Sequence, residues 1–249
     1  EKLSSGYRIN RAGDDAAGLA ISETMRSQIN GLNQSVTNAN DAIGLIQTAE
    51  GALTETHSML QRLTTLATQS ANGTYNSTAR ANIQIEVNRL LEEIDRIANY
   101  TDFNGIKPLQ SSNTASSQMT FQIGPSAAET IKVNMSNMTT TSLGLDSSDT
   151  VDLTQLSTSN SAIDAIKDAI NMVSKYRAQL GAAQNRLEHT VNNLKVTSEN
   201  ITAAESRIRD TDMADEITAF TKNNILLQAS QSMLAQSNSV PQSVLSLLS

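Results

Sequence analysis

With 249 residues, a formal net charge of −7, no cysteine and no tryptophan, the chain is acidic and poor in aromatic rings, which make up 3% of its residues. That charge, with no basic stripe interleaved with aromatics, excludes a phosphate-binding surface for nucleic acid; the missing thiols exclude disulfides, thiol catalysis and thiolate metal sites. No apolar run approaches the roughly 18 residues that a membrane-spanning helix needs, so no membrane insertion is expected, and no signal-peptide pattern is visible.

Ala, Ile, Leu, Ser, Thr, Asn and Gln dominate, which suits helices touching through small side chains. Prolines occur only at Pro108, Pro125 and Pro241, leaving two stretches of about a hundred residues without a strong helix breaker. In the first, Met25, Ile29, Leu32, Val36, Ala39, Ile43 and Ile46 share a seam of alternating three- and four-residue steps, which Leu53 and Leu60 continue past Glu50 and His57. This period predicts a coiled-coil-like helix at about 18–71. Gly31, Gly44 and Gly51 lie inside it at a cost of about 1 kcal/mol each, tolerable where neighbours supply stability or approach closely. Asn72-Gly73-Thr74-Tyr75-Asn76-Ser77 reads as a turn. Ile83, Val87, Leu90, Ile94 and Ile97 predict a second helix at about 78–99, closed by Phe103-Asn104-Gly105.

The period then changes to two. Met119, Phe121 and Ile123 alternate with polar residues, Gly124-Pro125-Ser126 turns the chain, and Ile131, Val133 and Met135 alternate again, predicting a β-hairpin at about 117–136. Flanking polar loops are expected at about 106–116 and 137–159, and the stretches Ser111 to Ser117 and Thr139 to Ser161 are too polar for a second core. A third helix at about 160–209 carries Ile163, Ile166, Ile170, Val173, Leu180, Leu187, Val191, Leu194, Ile201 and Ile208, with Arg177, Gln184, Ser198 and Glu205 at the polar seam positions and the register unbroken. The first and third helices would each span roughly 65–70 Å, so the expected class is mainly α, an elongated bundle of long coiled-coil-like helices with a small β-hairpin. From Met213 onward the apolar residues Met213, Ile217, Phe220, Ile225, Leu226, Leu227, Met233 and Leu234 spread around a helix, which a solitary solvated helix does not sustain. The ending Val244-Leu245-Ser246-Leu247-Leu248-Ser249 is an aggregation hazard if exposed. Further copies of the chain are expected to cover both.

Nothing in the sequence makes a reaction centre. His57 and His189 are isolated from any metal-ligand pattern and read as packing or surface residues. No nucleophile elbow occurs, and the Gly6, Gly13 and Gly18 spacing lacks the Lys-Ser/Thr of a phosphate loop. Asp146, Asp149 and Asp152 lack the turn glycine and closing glutamate of a calcium loop. Glu92, Glu93, Asp95 and Arg96 read as a solvated helix face.

Several segments resemble the bacterial flagellins. Lys2-Leu3-Ser4-Ser5-Gly6-Tyr7-Arg8-Ile9-Asn10 and Arg11-Ala12-Gly13-Asp14-Asp15-Ala16-Ala17-Gly18-Leu19-Ala20-Ile21 are similar to the family's N-terminal signature. So are Gln47-Thr48-Ala49-Glu50-Gly51-Ala52-Leu53, Glu93-Ile94-Asp95-Arg96-Ile97 and Phe103-Asn104-Gly105. Asn185-Arg186-Leu187-Glu188, Ala203-Ala204-Glu205-Ser206-Arg207-Ile208-Arg209-Asp210 and Asp212-Met213-Ala214 match the C-terminal signature. Only about 106–160 is free of the resemblance.

The resemblance implies a secreted structural subunit, without cofactor or enzymatic activity, that self-assembles into the extracellular flagellar filament of a motile bacterium. Residues 1–15 would form a spoke, with Arg8, Asn10, Asp14 and Asp15 as its fixing residues. Residues 16–210 would form the outer-tube domain. Residues 211–249 would form the inner-tube helix, assembling through Met213, Ile217, Phe220, Ile225, Leu227, Leu234, Leu245, Leu247 and Leu248. Family members carry a further helix before this point and larger ones insert surface domains, so the chain is expected to be a short form, incomplete at its N-terminus and whole at its C-terminus. The implied partners are other copies in a helical filament, a type III export chaperone that holds the C-terminal helix, and the filament cap and hook-junction proteins. Toll-like receptor 5 recognises the family at positions matching Gln61, Arg62, Leu66, Gln69 and Glu86. Thr64-Thr65 stand where strong agonists carry Arg-Glu, which removes a charged pair from the centre of that surface. Leu245, Leu247 and Leu248 also resemble leucines read by NAIP-type intracellular sensors. A chemoreceptor-like helical hairpin shares the long heptads, but the central hairpin and polar loops argue against it. A hook–filament junction protein is a structural relative that fits the two terminal signatures less well, and a hydrolase in the polar loop has no ligand set to support it.

Overall fold

Helix dominates the computed structural model, which describes residues 1–110, 118–146 and 150–247, with side chains in the last helix as far as residue 238. In chain order the elements are α1 (Lys2–Ser5), α2 (Ala16–Ser70), α3 (Ser77–Tyr100), β1 (Gln118–Gln122), β2 (Thr130–Asn134), α4 (Leu156–Arg209) and α5 (Met213–Leu247). The chain forms two compact units, one of Glu1–Asn30 with Thr197–Ser249 and one of Gly31–Val196. The mainly α class with one two-stranded antiparallel sheet is as the heptads and the alternation predict. The expectations for residues 111–117 and for Asp149 lie outside the described residues.

In the second unit the buried stripe of α2 runs Leu32, Ser35, Ala39, Ala42, Ile46, Ala49, Leu53, Thr56, Leu60, Leu63, Ala67 and Ser70. Its steps alternate three and four throughout. Leu32, Ala39, Ile46, Leu53 and Leu60 belong to the predicted seam, but the alternate positions sit one residue earlier than expected. Val36 and Ile43 flank the core as partly buried neighbours. Glu50, beside them, pairs with Arg177 of α4 at 3.5 Å. The true positions carry small residues whose buried hydroxyls are satisfied locally. Ser35 Oγ donates to the Gly31 carbonyl at 2.7 Å and Thr56 Oγ1 to that of Ala52 at 3.1 Å, so the stripe stays dry without unpaired polar groups.

The same offset recurs in α4, where Ser159, Ala162, Ile166, Ala169, Val173, Tyr176, Leu180, Ala183 and Leu187 are buried. Its register is not unbroken. Ala183, Leu187 and Val191 are separated by two successive steps of four, after which Leu194 and Ser198 continue; such a local insertion shifts the buried face around the helix. α3 contributes Ile83, Val87, Leu91, Ile94 and Ala98, and is capped by Asn76, whose side chain accepts the Ala79 amide at 2.8 Å.

Sheet pairing joins Met119 to Val133 and Phe121 to Ile131, so the alternating apolar side chains share a face; Ile131 and Val133 enter the core. The stretch between β2 and α4 builds no core of its own, yet Met138, Leu143, Leu145, Val151 and Leu153 are all buried in the shared one. Three side chains hold it there. Asp95 accepts from the Thr140 amide and hydroxyl at 2.8 and 2.7 Å. Gln84 accepts the Leu153 amide and donates to the Val151 carbonyl, and Ser70 donates to the Leu153 carbonyl at 2.6 Å. Asp95 is therefore a packing tie. Of that expected solvated face, Glu92 and Glu93 keep the surface role, in exposed pairs with Arg89 and Arg96.

The glycines of α2 divide by environment. A β-carbon on Gly31 would lie 2.8 Å from Pro125 Cβ at the hairpin turn, one on Gly44 would sit 3.6 Å from the Phe103 ring, and one on Gly51 would meet nothing within 4 Å. Replacing Gly51 with Ala is expected to raise the unfolding free energy by about 0.5–1 kcal/mol, whereas Gly31→Ala loses that gain to the clash with Pro125. Urea denaturation of the two variants reads the difference, and equal stabilisation by both would contradict this packing.

Candidate functional site

α5 begins with a well-made N-terminus. Asp212 Oδ1 accepts the Ala214 and Asp215 amides at 2.9 and 3.4 Å, and Asp215 and Glu216 place negative charge in the first turn. Beyond it, every residue from 217 to 238 is exposed. Ile225, Leu226 and Leu227 are 61%, 53% and 57% exposed. Consecutive residues point roughly 100° apart around a helix, so no single contact face could cover all three. Met213, Ile217, Phe220 and Leu234 are likewise exposed. The side chains of Leu245 and Leu247, and Leu248 itself, lie outside the described residues.

At the far end of α2, Arg62 reaches α3: Nε donates to Glu86 Oε1 at 2.8 Å and an Nη stands 2.7 Å from the same oxygen, with both side chains about half exposed. Gln61 is exposed and within 3.0 Å of His57 Nε2. Gln69 donates to the Tyr75 hydroxyl at 2.8 Å. Leu66, expected in the same recognition surface, is instead in the core at 2% exposure, because it belongs to the face of α2 that packs inward beside Ala67. Thr64 and Thr65 turn their hydroxyls back to the Leu60 and Gln61 carbonyls. The structure thus brings Arg62 and Glu86 together at the surface, with Gln61 beside Arg62 in sequence, and removes Leu66.

In the first unit, residues 6–15 fold onto the end of α4. Tyr7 and Asp210 form an antiparallel bridge, in which the Arg8 amide donates to the Arg209 carbonyl at 2.7 Å and the Thr211 amide to the Gly6 carbonyl at 3.1 Å. Gly6 adopts φ 75°, a left-handed conformation that releases the chain from α1 into this bridge. The Arg8 guanidinium donates to the Ile208 carbonyl at 2.7 Å, one of the carbonyls that the end of α4 leaves unpaired. Asp14 Oδ2 accepts the Asn10 and Arg11 amides at 3.1 and 3.0 Å, and these bonds hold its carboxyl below its usual 3.8. Asp15 Oδ1 caps α2 by accepting the Gly18 amide at 2.9 Å. Arg8, Asp14 and Asp15 thus order this segment through their side chains, and Asn10 Nδ2 donates to the Tyr7 carbonyl at 3.3 Å. Sequence reasoning missed the centre of the arrangement, Arg209. Its side chain is 14% exposed, stacks 4.6 Å from the Tyr7 ring centroid and pairs with Glu23 at 2.9 Å. Replacing Arg209 with Lys keeps the charge but loses the planar stack. The Arg8 and Thr211 amides are then expected to exchange with solvent about fivefold faster or more, in line with ~1 kcal/mol for a partly buried cation–π contact. Unchanged exchange would show that the backbone bridge alone holds the segment.

Comparison with known proteins agrees with this architecture. The model of the bacterial flagellin N-terminal helical region matches residues 1–114, and that of the C-terminal helical region matches 163–248. A flagellin of Bacillus subtilis is 52% identical, covering 100% of this chain and 91% of its own length. The flagellar filament 33 kDa core protein of Treponema phagedenis is 50% identical, covering 100% and 90%. The crystal structure of Bacillus cereus flagellin superposes with a TM-score of 0.56 at 32% identity, over 68% of this chain and 94% of that one. These relatives are structural proteins of the flagellum, not enzymes. The chain belongs to the bacterial flagellin family.

Proposed function

We propose that the protein is a structural subunit of the extracellular flagellar filament, assembled from many copies through α5. The observation that carries this reading is the helix from Met213 onward, apolar around its circumference and exposed over 217–238. A monomer gains nothing by displaying such a surface, whereas a tube in which neighbouring copies pack their α5 helices would bury it. In this reading residues 211–249 line the inner tube, 16–210 form the outer tube, and 1–15 form the spoke, whose ordering by Arg8, Asp14 and Asp15 supports a fixed joint. Before assembly the same apolar helix is the segment that an export chaperone would hold; the filament cap and hook-junction proteins would meet it at the two ends of the polymer. Expressed at full length in a flagellin-deleted bacterium, the protein is expected to restore filaments visible by electron microscopy, and removal of residues 211–249 to abolish them. Normal filaments from the shortened chain would contradict the proposal.

The Arg62–Glu86 pair supports a second role, as a ligand of the innate receptor Toll-like receptor 5. An exposed arginine spanning two helices, with Nε and an Nη on one carboxylate oxygen, is a shape that a partner can read. Gln61 and Gln69 extend the patch, while Thr64 and Thr65 add no charge to it and Leu66 adds no contact area. Arg62→Ala is expected to lower activation of receptor-bearing reporter cells by about tenfold or more, the loss of one interfacial arginine. Equal potency of the variant and parent would remove this surface from the account.

A further inference from the structure

We propose that Asn72, in the turn between α2 and α3, is a site of spontaneous deamidation, set apart by backbone geometry from the two other Asn-Gly pairs of the chain, Asn30-Gly31 and Asn104-Gly105. In this reaction the main-chain nitrogen of the glycine attacks the asparagine side-chain carbonyl carbon. A bond forms between that nitrogen and Cγ, the bond from Cγ to Nδ2 breaks, and the proton of the main-chain amide leaves with Nδ2 as ammonia. Water then opens the resulting five-membered imide at either carbonyl, leaving aspartate or isoaspartate; nothing is oxidised or reduced. The step needs a glycine N–H free of other acceptors and a backbone free to bring the nitrogen to Cγ.

Two of the three pairs lack these conditions. Gly31 lies inside α2 with its amide in the helical ladder, and it faces Pro125. The Gly105 amide donates to Asp102 Oδ2 at 3.0 Å, and its turn is clamped by two backbone bonds between Phe103 and Ile106. At Asn72-Gly73 both residues are exposed and, although the Asn72 amide donates to the Gln69 carbonyl at 3.2 Å and its own carbonyl accepts the Tyr75 amide at 3.3 Å, the Gly73 amide has no acceptor among the described residues. The Thr74 amide donates to Asn72 Oδ1 at 3.3 Å. That oxygen gathers negative charge when Cγ becomes tetrahedral, so a donor already aimed at it favours the step. The Arg80 guanidinium donates to the Asn72 main-chain carbonyl at 3.2 Å, which keeps a cation on the residue where the new carboxylate forms.

The test is peptide mapping by mass spectrometry, with isoaspartyl methyltransferase labelling, of folded protein aged in warm, mildly alkaline buffer. The Asn72 peptide is expected to convert first, severalfold ahead of Asn104, with Asn30 last. In urea the three are expected to converge, because all share the Asn-Gly sequence. Gly73→Ala, where an added β-carbon meets nothing within 4 Å, keeps the fold and is expected to slow conversion at Asn72 severalfold. Conversion of Asn104 or Asn30 in the folded protein as fast as Asn72, no conversion at Asn72, or an unchanged rate in Gly73→Ala would each overturn the proposal.

Discussion

The second unit depends on a stripe of small side chains along α2. Ser35, Ala39, Ala42, Ala49, Thr56, Ala67 and Ser70 alternate with Leu32, Ile46, Leu53, Leu60 and Leu63. The large residues supply the burial, each stabilising by about 1.5–3 kcal/mol, and the small ones set the position of everything packed between them. Ser70 concentrates this role. Its hydroxyl donates to the Leu153 carbonyl and lies 3.4 Å from the Ser159 hydroxyl, while its own carbonyl accepts from Arg80. The end of α2, the start of α3, the start of α4 and the segment feeding α4 thus meet at one buried serine. A larger apolar residue there would fill the space but leave the Leu153 carbonyl without its donor.

This stripe also shows where reading the sequence stops. Half of the seam was legible, because Leu32, Ala39, Ile46, Leu53 and Leu60 repeat every seven residues. The other half was misplaced by one residue, because Val36 and Ile43 are more apolar than Ser35 and Ala42. Hydropathy favours the larger of two adjacent residues, while packing between helices favours the smaller. Glu50 and His57 on the predicted seam carried the warning, since an ionic side chain flanks a dry interface more readily than it lines one. The hairpin register was legible because alternation has only two phases. The roles of Asp95, Gln84 and Arg209 were not. Each acts across a long sequence separation, as Asp95 does on Thr140 and Arg209 on Tyr7 and Glu23, and no local pattern marks such a pair.

The two units answer different physical demands. The second buries a continuous core drawn from α2, α3, β2 and α4. The first orders its opening residues through charge and backbone pairing around Arg8, Asp14 and Arg209, and then releases α5, whose apolar side chains are left in solvent. A short helix-capped departure at Asp212 gives α5 a defined start, but helix propensity alone stabilises an isolated helix only marginally. Membership of the flagellin family supplies the context in which this makes sense: in the proposed filament, other copies would provide the burial that α5 lacks.

The central claim is that α5 acquires its protection from assembly and the α2 stripe acquires its protection from folding. Hydrogen exchange measured by mass spectrometry on monomeric and polymerised protein tests both at once. The account predicts rapid exchange over residues 217–238 in the monomer and strong protection there in the polymer, with residues 39–67 protected in both states. Equal protection of 217–238 in monomer and polymer would contradict it.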